Sequence, residues 1–151
     1  MEAIALSNQG KQDDAEQCLR RAILLQPKNG RLHCHLGILL ARANEYAKAE
    51  ASLRRAILLK PDYALPHYEL GKLLVHSTQW RAAGQELEQA VAHDANLSAA
   101  YYQLARVYAK LGETKKSERL FAEFRKLNQQ ADDSQASDQA VDEDTRKESE
   151  F

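Results

Sequence analysis

The chain has 151 residues, 44% apolar and 28% charged, with a formal net charge of −1, a soluble globular composition with enough length for one ordinary domain. No apolar run approaches the ~20 residues a membrane-spanning helix needs, and the opening MEAIALSNQGKQ has no basic leader followed by an apolar stretch, so a cytoplasmic protein without membrane contact is expected. Two cysteines, Cys18 and Cys34, are too few for a disulfide framework and read as reduced thiols.

In chain order, residues 1–29 read as the end of a helix, a turn at Gly10, and a second helix carrying Ala15, Leu19 and Ala22 that closes before Pro27. The heptapeptide LRRAILL at 19–25 returns unchanged at 53–59, an offset of 34 residues. Sliding the chain by that offset superposes DDAEQCLRRAILLQP on AKAEASLRRAILLKP with ten of fifteen residues identical, and HCHLGILL on HYELGKLL. A third copy, YYQLARVY, begins at Tyr101. A fixed period of this length is the mark of a stacked repeat. The chain therefore divides into a partial unit at 1–29 and full units at 30–63, 64–97 and 98–128.

Each full unit predicts two helices. The first has apolar residues at helical spacing, as Leu36, Leu39 and Leu40 or Leu70, Leu73 and Leu74; the second repeats this at Leu53, Ala56, Ile57 and Leu59. Gly10, Asn44, Thr78 and Gly112 hold one turn position. Gly and Asn tolerate the left-handed conformation that ends a helix, whereas a β-branched Thr78 there is strained. Asp62 and Asn96 are expected to cap the helices that follow them. Beyond Leu127 the chain turns to NQQADDSQASDQAVDEDTRKESEF, where residues 131–151 hold eight acids and two bases, a balance of −6 against +5 for the rest. So polar a segment cannot offset its ordering entropy by burial, so 129–151 is expected to be a disordered acidic tail.

These motifs resemble the tetratricopeptide repeat. The first full unit shows His33, Leu36-Gly37, Leu40, Ala49, Leu53, Ala56 and Pro61; the second His67, Leu70-Gly71, Leu74, Ala83, Leu87 and Ala90, with Ala95 where proline is usual; the third Tyr101, Leu104-Ala105, Tyr108, Ser117 and Phe121. Phe124 stands where the family has a small residue, which marks the end of the array. The resemblance covers residues 1–128 and implies an all-α fold, a right-handed α-solenoid of stacked antiparallel helix pairs, with Gly37 and Gly71 letting the two helices of a unit approach. It also implies a non-catalytic adaptor or scaffold that binds an extended protein segment on its concave face.

In such an array the first helices line the groove. At about 100° per residue the groove-directed stripe is Cys34, Ile38, Ala41 and Arg42, then Tyr68, Lys72, Val75 and His76, then Tyr102, Arg106, Ala109 and Lys110. An aromatic ring followed one turn later by a cation occurs twice, which suits a peptide bearing carboxylates. The expected binding residues are therefore Cys34, Ile38, Arg42, Tyr68, Lys72, His76, Tyr102, Arg106 and Lys110. The acidic tail could occupy the same cationic groove. The family's carboxylate clamp for chaperone tails is not expected, because Cys34, Ile38, Glu69, Ala99 and Gln103 occupy its places.

Other classes fit less well. A substrate-recruiting array belonging to a larger enzyme, such as a glycosyltransferase, remains the alternative, although the polar tail cannot itself fold into a catalytic domain. Nucleic-acid binding through Arg20, Arg21, Arg54 and Arg55 is not expected, since Glu16 and Glu50 sit one turn before them, as in ordinary helix ion pairs. The run His33-Cys34-His35 suggests a metal site at first sight. Neighbours on a helix diverge by about 100°, so the two histidines face apart, and no metal, cofactor or catalytic constellation is expected.

Overall fold

The computed structural model describes residues 2–148, with side-chain surroundings for residues 10–134. Seven helices follow one another: α1 (Glu2–Leu25), α2 (Gly30–Arg42), α3 (Tyr46–Leu59), α4 (Ala64–His76), α5 (Trp80–His93), α6 (Ser98–Lys110) and α7 (Thr114–Glu148). No strand occurs among the described residues. The tightest pairs are α2 with α3, α4 with α5 and α6 with α7, and each pair stacks on the next through α1–α2, α3–α4 and α5–α6. First helices also touch one another, α2 to α4 and α4 to α6. This is the solenoid that the period requires, each hairpin burying its open apolar face on a neighbour.

One turn geometry is used three times. Asn44, Thr78 and Gly112 have φ of 62°, 60° and 78°, and the following amides of Glu45, Gln79 and Glu113 each donate to a carbonyl five residues back, Leu40, Leu74 and Tyr108, at 2.9 Å. That bond satisfies a carbonyl the helix end would otherwise leave open. Thr78 therefore does sit in the strained conformation. Gly10 does not turn: α1 passes through it, and nothing lies within 4 Å of where its Cβ would stand. The expected hairpin at residues 1–29 is thus a single helix. The expected caps are also corrected. Asn29 alone accepts from a first-turn amide, that of Arg31 at 3.1 Å, whereas α4 and α6 begin after Tyr63 and Leu97 without a side-chain cap.

Within a hairpin, contact is set by glycine against leucine. A Cβ on Gly37 would stand 2.7 Å from Leu53 Cγ, and one on Gly71 would stand 2.6 Å from Leu87 Cγ. Leu53 and Leu87 are fully buried and join Leu70, Leu74, Leu104 and Val107 in one continuous core. In the last hairpin Ala105 and Phe121 replace glycine and leucine, and the Phe121 ring meets Tyr102 edge-on with centroids 5.9 Å apart. Phe124 also turns onto Tyr102, at 5.3 Å.

The tail differs most from expectation. Residues 129–148 continue α7 as helix, while 149–151 lie outside the described residues. Poverty in apolar residues decides whether a segment can build a core. It does not stop a helix already nucleated by packing on α6 from propagating, and no Gly or Pro follows Gly112 to interrupt it.

Candidate functional site

The predicted groove residues divide into three environments. Cys34 is 0% exposed and part of the core. Its thiol is pushed up to about 12 by burial and by the nearby Glu69 charge, against a hydrogen bond shared with Tyr63. It is therefore unavailable to a partner, which corrects its expected place in the groove. Cys34 is smaller than Tyr68 and Tyr102 at the same repeat position, and Tyr63, just before α4, closes over it.

Ile38, Arg42, Lys72 and His76 are brought together, around a cleft of about 260 Å³ between α2 and α4 that Ala41, Tyr46, Glu69 and Leu73 complete. Ile38, Ala41 and Leu73 supply aliphatic surface to it. Tyr46, the first residue of α3, lies with its ring 4.5 Å from that of His76 and donates its hydroxyl proton to Asn44 Oδ1 at 2.8 Å. Lys72 is held between the Tyr68 ring, 5.1 Å from its centroid, and the Glu69 carboxylate at 2.9 Å. Burial raises the Tyr68 phenol, partly offset by the Lys72 charge and reinforced by Glu69. Arg42 is exposed and forms no ion pair among the described residues.

Tyr102, Arg106 and Lys110 lie apart from that cleft, on α6. Arg106 sits 5.7 Å over the Tyr102 ring and donates to Gln103 Oε1 at 3.4 Å. Tyr102 stays 41% exposed while its other contacts are Phe121 and Phe124. The ring-plus-cation pairs are thus formed at both predicted places, but as two stations rather than one uniform track.

Elsewhere, His67 is 6% exposed. Its Nδ1–H donates to Glu86 Oε2 at 2.8 Å and its Nε2–H to the Pro61 carbonyl at 3.1 Å. Both neighbours are acceptors, an arrangement that favours the protonated ring. Burial alone would lower its pKa; the Glu86 bond, the Pro61 bond and the Glu86 charge outweigh it and raise the value above 6.5. His33 in the first unit keeps only the matching bond, to the Pro27 carbonyl at 3.0 Å, and His35 is exposed. The three residues of the His-Cys-His run therefore occupy three separate surroundings. Arg20 and Arg54 are paired to Glu16 and Glu50 at 2.7 and 2.8 Å. No helix among the described residues is long and apolar enough to cross a membrane.

Stacked helix pairs with an open face of this kind define a repeat scaffold. Tetratricopeptide-repeat family profiles match residues 1–64 and 98–130, and the chain belongs to the tetratricopeptide-repeat family, whose arrays serve as protein-interaction scaffolds. Among solved structures it is similar to a crystal structure of MamA, with a TM-score of 0.72 and 24% identity over 80% of this chain and 71% of that one. A second MamA crystal structure gives 0.71 and 24% over 81% and 67%. MamA 41-end from Desulfovibrio magneticus RS-1 gives 0.69 and 20% over 84% and 72%. At these identities the likeness concerns the fold. No curated protein matches.

Proposed function

We propose that the chain is a non-catalytic adaptor that holds an extended, acidic protein segment along its first helices. The observation that carries this reading is the cleft between α2 and α4, where aliphatic Ile38, Ala41 and Leu73 lie beside Arg42, which has no ion pair among the described residues. An apolar side chain of the ligand enters the cleft and a neighbouring carboxylate meets Arg42. Further along, the segment lies on Tyr102 beneath the Arg106 cation, and Lys110 continues the charge. Protein is favoured over nucleic acid because Arg20 and Arg54, half of the outer arginines, are already neutralised in ion pairs. Continuity of α7 argues against a fold-back of the acidic segment onto the groove of the same molecule, which needs the helix to break.

The test is affinity capture with the wild type, with Arg42→Glu, and with a variant carrying Tyr68→Ala, Lys72→Ala, Tyr102→Ala and Arg106→Ala. Both variants are expected to lose the partners that the wild type recovers. Recovery of an unchanged set by both would remove the groove from consideration.

A further inference from the structure

The molecule has a second cleft that shares no residue with the groove. Arg20, Ile23 and Leu24 of α1 and His33 and Leu36 of α2 line a space of about 410 Å³. Leu24 is 81% exposed, and its counterpart one unit on, Leu58, is 69% exposed. Both leucines stay open at the same position of the repeat, and Leu24 is the one that borders this cleft.

Internal repetition shows what chemistry belongs against the histidine. One unit later the matching residues are Arg54, Ile57, Leu58, His67 and Leu70. There the ring is sealed: Glu86 of α5 accepts a hydrogen bond from Nδ1–H at 2.8 Å, and the His93 ring lies 5.5 Å away. In the first unit Ser52 stands at the place of Glu86 and Leu59 at that of His93. A serine hydroxyl is two carbons too short to reach where the glutamate carboxylate reaches. His33 keeps its bond to the Pro27 carbonyl through Nε2, while Nδ1 has no partner among the described residues. The α1 cation that lines this cleft is Arg20, already paired with Glu16 at 2.7 Å, and α3 offers the uncharged Ser52 at the Glu86 position.

We propose that this cleft docks a partner protein segment that presents an acidic side chain next to a leucine-sized one. The carboxylate takes the position that Glu86 holds one unit on and accepts from Nδ1–H of His33, whose Nε2–H remains on the Pro27 carbonyl. The aliphatic side chain covers Ile23, Leu24 and Leu36. The site is independent of the groove, and either can fail without the other.

The experiment is an NMR titration of the full chain with two probes, N-acetyl-Glu-Leu-amide and its Gln analogue, at about pH 6. Shifts are expected at Ile23, Leu24, His33 and Leu36, with the Glu probe binding about fivefold or more tightly than the Gln probe, the advantage of a charge-assisted hydrogen bond. Ser52→Glu, which supplies the carboxylate from within, is expected to abolish that binding. Leu24→Gln, an exposed change that leaves the core intact, is expected to weaken both probes. Equal binding of the two probes, no binding of either, shifts centred on Arg42 and Lys72 instead, or full binding by Leu24→Gln overturns the proposal.

Discussion

In the hairpin α4–α5 the histidine of the first helix is sealed by a carboxylate from the second; in α2–α3 its counterpart is half open and lacks that partner. The two units share the Leu-Gly pair, the leucine that fills it and the left-handed turn, so the backbone arrangement does not depend on the histidine contact. What the contact adds is a part-buried histidine–carboxylate bond in the middle of the array. Packing common to every unit makes the solenoid, and a single side-chain difference at position 52 or 86 makes one unit closed and the other receptive.

The largest effects should fall on the shared packing and leave the two units alike. Leu53→Ala and Leu87→Ala each remove a fully buried side chain and are expected to cost about 2–5 kcal/mol in urea unfolding. A clear inequality between them would mean that the units are not equivalent in the core. Gly37→Ala and Gly71→Ala drive a methyl group into the same leucines and should cost about 1–3 kcal/mol each. Combining Gly71→Ala with Leu87→Ala should recover part of the loss, because the clash disappears with the leucine.

The histidine pair should separate the units. Glu86→Gln is expected to destabilise by about 1–3 kcal/mol, since it removes a buried charge-assisted bond, whereas Ser52→Ala should change stability by less than about 0.5 kcal/mol. The pH dependence has a fixed sign. The folded pKa of His67 is raised above 6.5, so its contribution is fully present below pH 6.5 and is lost as pH rises through the folded value. Unfolding curves across that range should show the wild type losing its advantage over His67→Gln with rising pH. An advantage that grew would contradict the raised folded value.

The smallest effect concerns the turns. Thr78 and Asn44 have nearly the same positive φ, but a β-branched residue is penalised there more than asparagine is. Thr78→Gly should raise stability by roughly 1 kcal/mol, after allowing for the added freedom of the unfolded chain, and Asn44→Gly by less. Thermal melts of the two variants measure the difference.

The period, the hairpin pairing and the three left-handed turns were legible because each depends on residue type at a repeated position. Gly10 misled because glycine permits a left-handed turn without requiring one; inside a helix it costs only about 1 kcal/mol relative to alanine. Cys34 misled because side-chain direction on an ideal helix ignores what the following segment brings over it, here Tyr63. Tyr46 went unnoticed as a cleft residue, although a signal existed: Trp80 stands at the same place one unit on, so an aromatic ring starts both α3 and α5. The helical state of residues 129–148 was hidden because composition reports on burial and says little about a backbone that extends an existing helix.

The repeated heptapeptide has a kinetic consequence. Helices α1 and α3 carry the same LRRAILL surface, so during assembly either can offer α2 or α4 the same seven side chains, and a chain displaced by one unit keeps much of its apolar packing. The His67–Glu86 pair distinguishes the alternatives. Set α3 where α5 belongs, and the buried imidazole of His67 faces Ser52 while the Glu86 carboxylate loses its partner. A bond that adds only modest stability thus acts as an alignment key, letting a nearly periodic chain count its own units.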